Sequence, residues 1–241
     1  TNDREKNYLN NRKKTLDQNY FEIFFNLLNY YFDFNKKTLL ENFYLAKIHP
    51  IDLIKSRIMK KKKKIFYKKL ISKSHNRTYD NNKKICVFFL GLSPEASTYS
   101  QCNIFFDQRK VARYVSMNLP SDYILIVKEH PSQYVSSDGR GEDYYKEILS
   151  HKNIYFANPQ DKAIDLINKA EFIITSTGSV GIEAILMEKP LIMLGNNHYE
   201  IFEDILKAKD YNTLKDKINL LVNKNVKIEK EKILKFLHCY K

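Results

Sequence analysis

The sequence predicts an α/β protein: a Rossmann-like, doubly wound parallel sheet preceded by a helical segment. From residue 83 onward, short continuous apolar runs alternate with helical patterns, which is typical of a parallel sheet covered on both faces. Before residue 80, long helical patterns dominate. We therefore expect a helical segment over 1–80 and a Rossmann-like domain over 83–241.

The first part of the chain contains three helical patterns and then a polar linker. They cover residues 16–34, 38–48 and 51–72, with the linker at 74–82. The first pattern is apolar nearly all round, which indicates a buried helix, and Pro50 separates the second pattern from the third. The third is strongly basic because of the run Lys60–Lys64. That run fits a solvated helix face, and it also fits contact with an anionic membrane surface.

The second part alternates between five predicted strands and the helices that connect and follow them. The strands are expected at 84–92, 122–130, 153–158, 171–179 and 190–195. The helices are expected at 103–119, 141–151, 161–170, 180–189, 200–208, 212–223 and 227–238. In such sheets, ligands bind beyond the carboxyl ends of the strands, where the strand order reverses.

Composition limits the classes of function. The chain has 241 residues and a formal net charge of +13, but no nucleic-acid recognition motif accompanies that charge, so no nucleic-acid partner is expected. Its three cysteines show no metal-binding spacing, which favours a cytoplasmic protein. No apolar run reaches the ~20 residues that span a bilayer. Because the chain begins with Thr1 rather than Met, we expect upstream residues to be missing.

The segment "TSTGSVG" follows a predicted strand and leads into a helix. Small hydroxyl residues around Gly178, namely Ser176, Thr177 and Ser179, would expose backbone N–H groups beside the helix N-terminus, an arrangement that binds phosphate. An ordinary strand-to-helix turn with a Ser or Thr N-cap explains the same residues. Glu183 on the first helical turn could hold ribose hydroxyls or simply stabilise the helix N-terminus.

The segment "VKEHPSQ" ends another buried strand in polar side chains. Lys128, Glu129 and His130 reach its carboxyl end, and Pro131 then ends the strand pairing. His130 can donate a hydrogen bond to a phosphate or titrate near neutral pH, and we expect it to face the same crevice as the Ser176–Ser179 turn. The alternative is an ordinary surface histidine.

The segment "GLSPEAST" follows the first predicted strand and contains Glu95. A carboxylate at this rim could act as a base or orient an acceptor hydroxyl, although a solvated loop acid would look the same in the sequence. Asp107 and Gln108 begin the next helix, and helix capping explains them equally well. No acidic pair resembling DxD lies at a strand end, so no metal is expected.

Together these blocks resemble the bacterial capsule polysaccharide biosynthesis proteins of the Kdo-transferase type. The matching blocks are "PEAST" (94–98), "FFDQ" (105–108), "VKEHPS" (127–132) and "STGSVGIEAILMEKP" (176–190). The resemblance implies the C-terminal, nucleotide-sugar-binding lobe of a GT-B glycosyltransferase, with 1–80 as the tail of a missing lobe. It also implies that His130 with Pro131, and Ser176 with Thr177 and Ser179, hold CMP.

The expected activity is transfer of a sugar such as Kdo from a CMP-activated donor to a glycolipid or glycan. The donor is a substrate, so no cofactor is expected; Glu95 and His130 are the catalytic candidates. Peripheral contact with the inner membrane would bring the enzyme to lipid-linked acceptors. One alternative is a CDP-glycerol-type glycerophosphotransferase, and another is a non-catalytic nucleotide-binding subunit of a polysaccharide assembly machine.

Overall fold

The computed structural model describes residues 50–75, 82–134, 140–224, 226 and 228–239. The helices predicted at 16–34 and 38–48, and most of the linker at 74–82, lie outside these residues. The chain divides into two compact units, Thr1–Ile65 and Phe66–Lys241. The basic helical pattern at 51–72 is confirmed as the helix α1, Pro50–His75. None of the helices within the described ranges is both long enough and apolar enough to cross a membrane.

A single parallel sheet of six strands carries the second unit. In chain order the strands are β1 (Lys84–Phe89), β2 (Tyr123–Lys128), β3 (Ile154–Phe156), β4 (Phe172–Thr175), β5 (Leu191–Met193) and β6 (Leu206–Lys207). Their order across the sheet is β3-β2-β1-β4-β5-β6, and every neighbouring pair is parallel. The predicted Rossmann-like, doubly wound fold is therefore confirmed, and its strand order reverses between β1 and β4.

Helices follow most of the strands and cover both faces of the sheet. They are α2 (Ala96–Tyr99), α3 (Gln108–Asn118), α4 (Glu142–Leu149), α5 (Ala163–Lys169), α6 (Val180–Leu186), α7 (Tyr211–Asn223) and α8 (Lys230–Cys239). Side chains alternate along each strand, so β1 sends Cys86 and Phe88 to one face and Val87 to the other. Helices α3, α4 and α7 pack on the first face, whereas α5, α6 and α8 pack on the second. This two-sided burial explains why the strands are continuous apolar runs.

Two predicted helices differ from the structure. The helix predicted at 200–208 is wrong: the chain forms a short 3-10 helix, His198–Ile201, and then the two-residue strand β6. This edge strand is also the sixth strand where five were predicted, because two residues are too few to show a strand period. The helix predicted at 103–119 begins at Gln108, since the Asp107 side chain accepts a hydrogen bond from the Arg109 backbone N–H and caps it.

Candidate functional site

Three polar segments meet at the carboxyl edge of the sheet, around the point where the strand order reverses. They follow β1, β2 and β4, which are adjacent in the order β2-β1-β4. The segment after β1 therefore lies between the other two, and a Cβ placed on Gly91 would lie 3.8 Å from Ser176 Cβ. The strands that lead to His130 and to Ser176 are two strand spacings apart, which is about 10 Å.

Buried side chains hold the loop after β1 in place. The last backbone bond of the β1–β2 ladder runs from Leu90 N–H to Lys128 O at 2.9 Å. Beyond it, Gly91 N–H donates to Oε1 of buried Gln108 at 2.8 Å. Gln133, also buried, accepts from Ser93 N–H and donates to Ser93 O, both at 2.8 Å. Two buried amide side chains thus replace the strand ladder where the loop leaves the sheet.

A buried ion pair, Glu129 with Arg140, lies beneath the segment after β2. The Glu129 side chain is fully buried, and its carboxylate accepts hydrogen bonds from Arg140 Nη1, from Tyr145 Oη at 2.8 Å and from His130 N–H at 2.7 Å. Arg140 Nη2 donates to Gly91 O at 2.7 Å, and the guanidinium lies 4.7 Å from the ring centre of Tyr144. Burial is the largest influence on the pKa of Arg140 and lowers it. The charge and hydrogen bond of Glu129, together with Tyr144 and Tyr145, more than offset burial and raise the pKa above its ordinary value, so Arg140 remains a cation.

His130 is half-buried at the end of this segment, beside exposed Pro131. The Nδ1 atom of His130 accepts a hydrogen bond from Ser132 N–H at 3.2 Å. The neutral imidazole therefore carries its proton on Nε2, which makes Nε2 a hydrogen-bond donor. The backbone continues from His130 into a short 3-10 helix, Pro131–Tyr134. His130 thus has the tautomer needed to donate to an anionic ligand.

Lys128 points to a different neighbour. Its Nζ donates to the backbone oxygens of Asn158 at 2.7 Å and Pro159 at 3.1 Å, in the loop after β3. Burial lowers the pKa of Lys128 to about 8, although the negative charges of Asp161 and Glu129 act in the opposite direction. Its ammonium group is thus held between two carbonyl groups of the protein. A role for Lys128 in nucleotide binding stays a prediction.

The Ser176–Ser179 turn follows β4 as predicted, but its members differ in accessibility. Ser176 is fully buried, Thr177 and Gly178 are half-buried, and Ser179 is exposed. Ser179 is the N-cap residue of α6, yet its side chain makes no capping hydrogen bond. Helix capping therefore does not explain this serine. The accessible part of the turn is Thr177–Ser179, whereas Ser176 lies below it.

The segment after β5 holds this turn from behind. Tyr199 Oη donates to Gly178 O at 2.7 Å, and Asn197 Nδ2 donates to Thr177 O. Gly181 makes room for the Tyr199 ring, since a Cβ on this glycine would lie 2.7 Å from the Cζ atom of Tyr199. The carbonyl groups of the turn are thus directed towards the protein, which favours outward-facing N–H groups on the other side.

Below the turn, the Ser176 hydroxyl faces the thiol of Cys102. Burial raises the pKa of the Cys102 thiol to about 11, and the contact with Ser176 lowers it in part. Among the described residues, Ser176 Oγ has no stronger hydrogen-bond partner than this weak one. The hydroxyl is therefore a buried polar group with unused hydrogen-bonding capacity.

Two predicted carboxylates are exposed at the rim. Glu95 precedes α2, and its carbonyl oxygen accepts from the N–H groups of Thr98 and Tyr99. Glu183 lies in the first turn of α6, where an acid interacts favourably with the helix N-terminus. No group of three or more His, Cys, Asp and Glu residues suited to a metal ion occurs in the part of the chain that the structure describes.

Sequence reasoning missed the residues that support the site. Gln133 was visible at the end of "KEHPSQ", but nothing in the sequence connects it to Ser93, from which it is separated by 40 positions. Arg140 lies in a polar, glycine-flanked stretch that indicates only a loop. A strand-end acid, Glu129, followed by a nearby arginine is the one sequence signal for their pairing.

A family model described as "Capsule polysaccharide biosynthesis protein" matches residues 9–203. This match covers most of the chain, including the segments after β1, β2 and β4. The chain therefore belongs to the capsule polysaccharide biosynthesis family, and the resemblance stated from its sequence blocks is confirmed.

This chain spans only part of the length of the individual relatives that it matches. Protein FixF of Sinorhizobium fredii is 32% identical over 91 residues, which is 38% of this chain and 21% of FixF. The KpsC β-Kdo 2,7 transferase of Thermosulfurimonas dismutans is 17% identical with a TM-score of 0.43, covering 83% of this chain and 66% of that one. UDP-GlcNAc 2-epimerase of Methanocaldococcus jannaschii is 16% identical with a TM-score of 0.46, covering 83% and 59% respectively.

Proposed function

We propose that this chain is the donor-binding part of a glycosyltransferase of surface-polysaccharide synthesis, which transfers a sugar such as Kdo from a CMP-activated donor. The observation that carries the proposal is the meeting of the His130 segment and the Ser176–Ser179 turn on either side of the β1 loop, at the reversal of strand order. This is where doubly wound sheets bind nucleotides. Membership of the capsule polysaccharide biosynthesis family supports the class of reaction.

The chemistry follows from the leaving group. When the bond between the sugar and CMP breaks, negative charge accumulates on the departing phosphate oxygen. His130 Nε2–H on one side, with backbone N–H groups of Thr177–Ser179 on the other, would donate to that phosphate. The strand ends that carry these two groups of donors are about 10 Å apart. Pro131 and Glu183 would border the nucleoside, and Lys128 would act by holding the loop after β3.

The acceptor side of the proposal is a glycolipid or growing glycan, with Glu95 as the candidate base at the exposed rim. The basic helix α1 would suit peripheral contact with an anionic membrane that holds such acceptors. Helix α1 is long enough for this: it has 26 residues, and Lys55 and Lys62 are exposed on it.

The first test is calorimetric titration of CMP, CDP and UDP into the chain, with the variants His130→Ala and Ser176→Ala. We expect cytidine-selective binding that His130→Ala weakens. Because Ser176 is buried below the accessible part of the turn, Ser176→Ala tests whether its hydroxyl takes part in binding. His151→Ala is the matched control, because His151 is also half-buried but precedes β3 at the opposite, amino-terminal edge of the sheet. Binding without preference for cytidine, or binding that His130→Ala leaves intact, would contradict the proposal.

The second test uses whole donors. CMP-Kdo and CDP-glycerol both release CMP, so the donor consumed and the bond formed have to be identified in the product. A new glycosidic bond from CMP-Kdo is the expected result. A phosphodiester formed from CDP-glycerol would instead identify a glycerophosphotransferase, and nucleotide binding without turnover would identify a binding subunit.

A further inference from the structure

The Glu129–Arg140 ion pair lies at the point where β1 and β2 separate, and it hydrogen-bonds to the backbone of both segments. Up to Leu90 N–H and Lys128 O the two strands are joined by backbone hydrogen bonds. One residue further, the ladder ends: Gly91 O accepts from Arg140, and His130 N–H donates to the Glu129 carboxylate. Two of the backbone groups freed at this point, Gly91 O and His130 N–H, are therefore held by the two members of one buried ion pair, while Gly91 N–H is held by Gln108.

Arg140 connects the two loops through its planar fork. Nη1 donates to Glu129, which in turn accepts from the His130 backbone, and Nη2 donates to Gly91 O at 2.7 Å. A guanidinium group fixes the angle between its two N–H donors, so the direction of the Gly91 carbonyl is coupled to the backbone direction of His130. The Tyr144 ring, 4.7 Å from the guanidinium carbon, and the Tyr145 hydroxyl limit movement of the pair.

Stability alone is a weak explanation for such a pair. A buried ion pair seldom stabilises a fold more than well-packed apolar residues of the same size, because desolvation of both charges offsets their attraction. The side chains of Arg140 and Glu129 are only 3% and 0% exposed, so both charges are desolvated almost completely. The better-supported role of a buried ion pair is to select one conformation of the surrounding chain over the alternatives.

We propose that Glu129 and Arg140 are positioning residues: together they hold His130 and the loop after β1 in the arrangement that receives the nucleotide phosphate. The naming of the phosphate as the ligand rests on the proposed function; the coupling between the pair and His130 does not. Neither residue touches the ligand itself, since both are buried below the crevice.

The deciding variant is Arg140→Lys. Lysine keeps the positive charge beside Glu129 but cannot donate to Glu129 and Gly91 with the geometry of a planar fork. Arg113→Lys is the control for the exchange itself, because Arg113 is an exposed arginine on α3. Arg109 would not serve, since its guanidinium lies 5.6 Å from the centre of the same Tyr144 ring that Arg140 contacts. The variant Glu129→Gln with Arg140→Met removes both charges at similar volume, and it decides the question should Arg140→Lys fail to fold.

Two quantities are measured on each folded variant. The first is the ¹⁵N and ¹H shifts of the His130 ring across pH, identified by their loss in His130→Ala, and the second is the affinity for CMP. We expect Arg140→Lys to change the tautomer balance or titration of His130 and to weaken CMP binding by about tenfold or more, whereas Arg113→Lys changes neither. Unchanged His130 signals in both pair variants would overturn the proposal.

The two readouts separate this inference from the proposed function. If the unsubstituted chain binds no nucleotide, the proposed function fails, but the His130 ring signals still decide whether the pair positions His130. Suppose that the unsubstituted chain binds CMP and that Arg140→Lys changes neither the His130 ring signals nor the affinity for CMP. The proposed function then stands, and the positioning role is overturned.

Discussion

Gln133 holds Ser93 at both polar groups of its backbone, although the two residues are separated by 40 positions in the sequence. One amide oxygen accepts from Ser93 N–H and the amide nitrogen donates to Ser93 O, each at 2.8 Å. These two hydrogen bonds take the place of those that a neighbouring strand would make with Ser93. They tie the loop after β1, which contains Glu95, to the segment after β2, which contains His130.

Removing this amide should cost stability. In Gln133→Ala, Ser93 loses both partners in a partly buried place, and we expect the free energy of unfolding to fall by about 1–3 kcal/mol. Chemical denaturation measures this change, and hydrogen exchange should show a faster-exchanging Ser93 amide. Gln160→Ala, at an exposed glutamine, is the control. Equal effects of the two substitutions would mean that the Gln133 hydrogen bonds add nothing.

A methyl group at Gly181 should disturb the hydroxyl turn from behind. The new Cβ would lie 2.7 Å from two ring carbons of Tyr199, which is fully buried and cannot turn away. Overpacking costs about 1–3 kcal/mol, whereas alanine in place of glycine in a helix gains about 1 kcal/mol, so Gly181→Ala should be destabilising. Thermal unfolding checks the sign.

Gly141→Ala is the control for this substitution. Among the residues that the structure describes, no atom lies within 4 Å of a Cβ at Gly141, and its backbone is extended, so alanine fits there without strain. We expect its free energy of unfolding to stay within about 0.5 kcal/mol of the unsubstituted chain. A Gly181→Ala protein as stable as Gly141→Ala would show that Tyr199 can move.

Ser176→Ala should have little effect on the stability of the fold. Within the described part of the chain, the weak Cys102 thiol is the one polar side-chain partner of the buried Ser176 hydroxyl, so its removal should leave the free energy of unfolding unchanged or raise it slightly. Thr98→Val is the contrasting variant, because the equally buried Thr98 hydroxyl donates to Leu92 O at 2.6 Å and its loss should cost about 1 kcal/mol. A large loss of stability in Ser176→Ala would reveal a structural partner for this hydroxyl.

Lys128 should make stability depend on pH in the alkaline range. Its pKa is about 8 in the folded chain and has an ordinary value of 10.5 when unfolded. Between these values the unfolded state binds more protons, so the contribution of Lys128 to stability rises with pH, by about 1.4 kcal/mol per pKa unit at most. Below pH 8 Lys128 is charged in the folded chain as well, and the burial of this charge then lowers the free energy of unfolding by its full amount.

The comparison of the unsubstituted chain with Lys128→Met isolates this contribution. The difference in free energy of unfolding should move in favour of the unsubstituted chain from pH 8 to pH 10.5. Lys189→Met controls for lost hydrogen bonds, because Lys189 also donates to two backbone oxygens, those of Asn168 and Ala170. A difference that is constant over this range, or that moves the other way, would contradict the lowered pKa.

The sequence by itself determined the class of fold and the edge at which a ligand site forms. Continuous apolar runs between helical patterns predict a parallel sheet buried on both faces. Because parallel strands all end at the same edge, every strand-to-helix segment then lies at the carboxyl edge. That is why "GLSPEAST", "KEHPSQ" and "TSTGSVG" could be expected side by side. These patterns are local, and each is visible within about ten residues of chain.

Only the tertiary structure decided which side chains support the site and which face a ligand. Neighbouring strands β1 and β2 bring Gly91 within 2.7 Å of Arg140, from which it is separated by 49 positions. The same packing buries Ser176 beneath its own turn and directs Lys128 to the loop after β3. The partner of a polar side chain depends on which segments the fold places beside it, and no periodicity in the sequence records that distance.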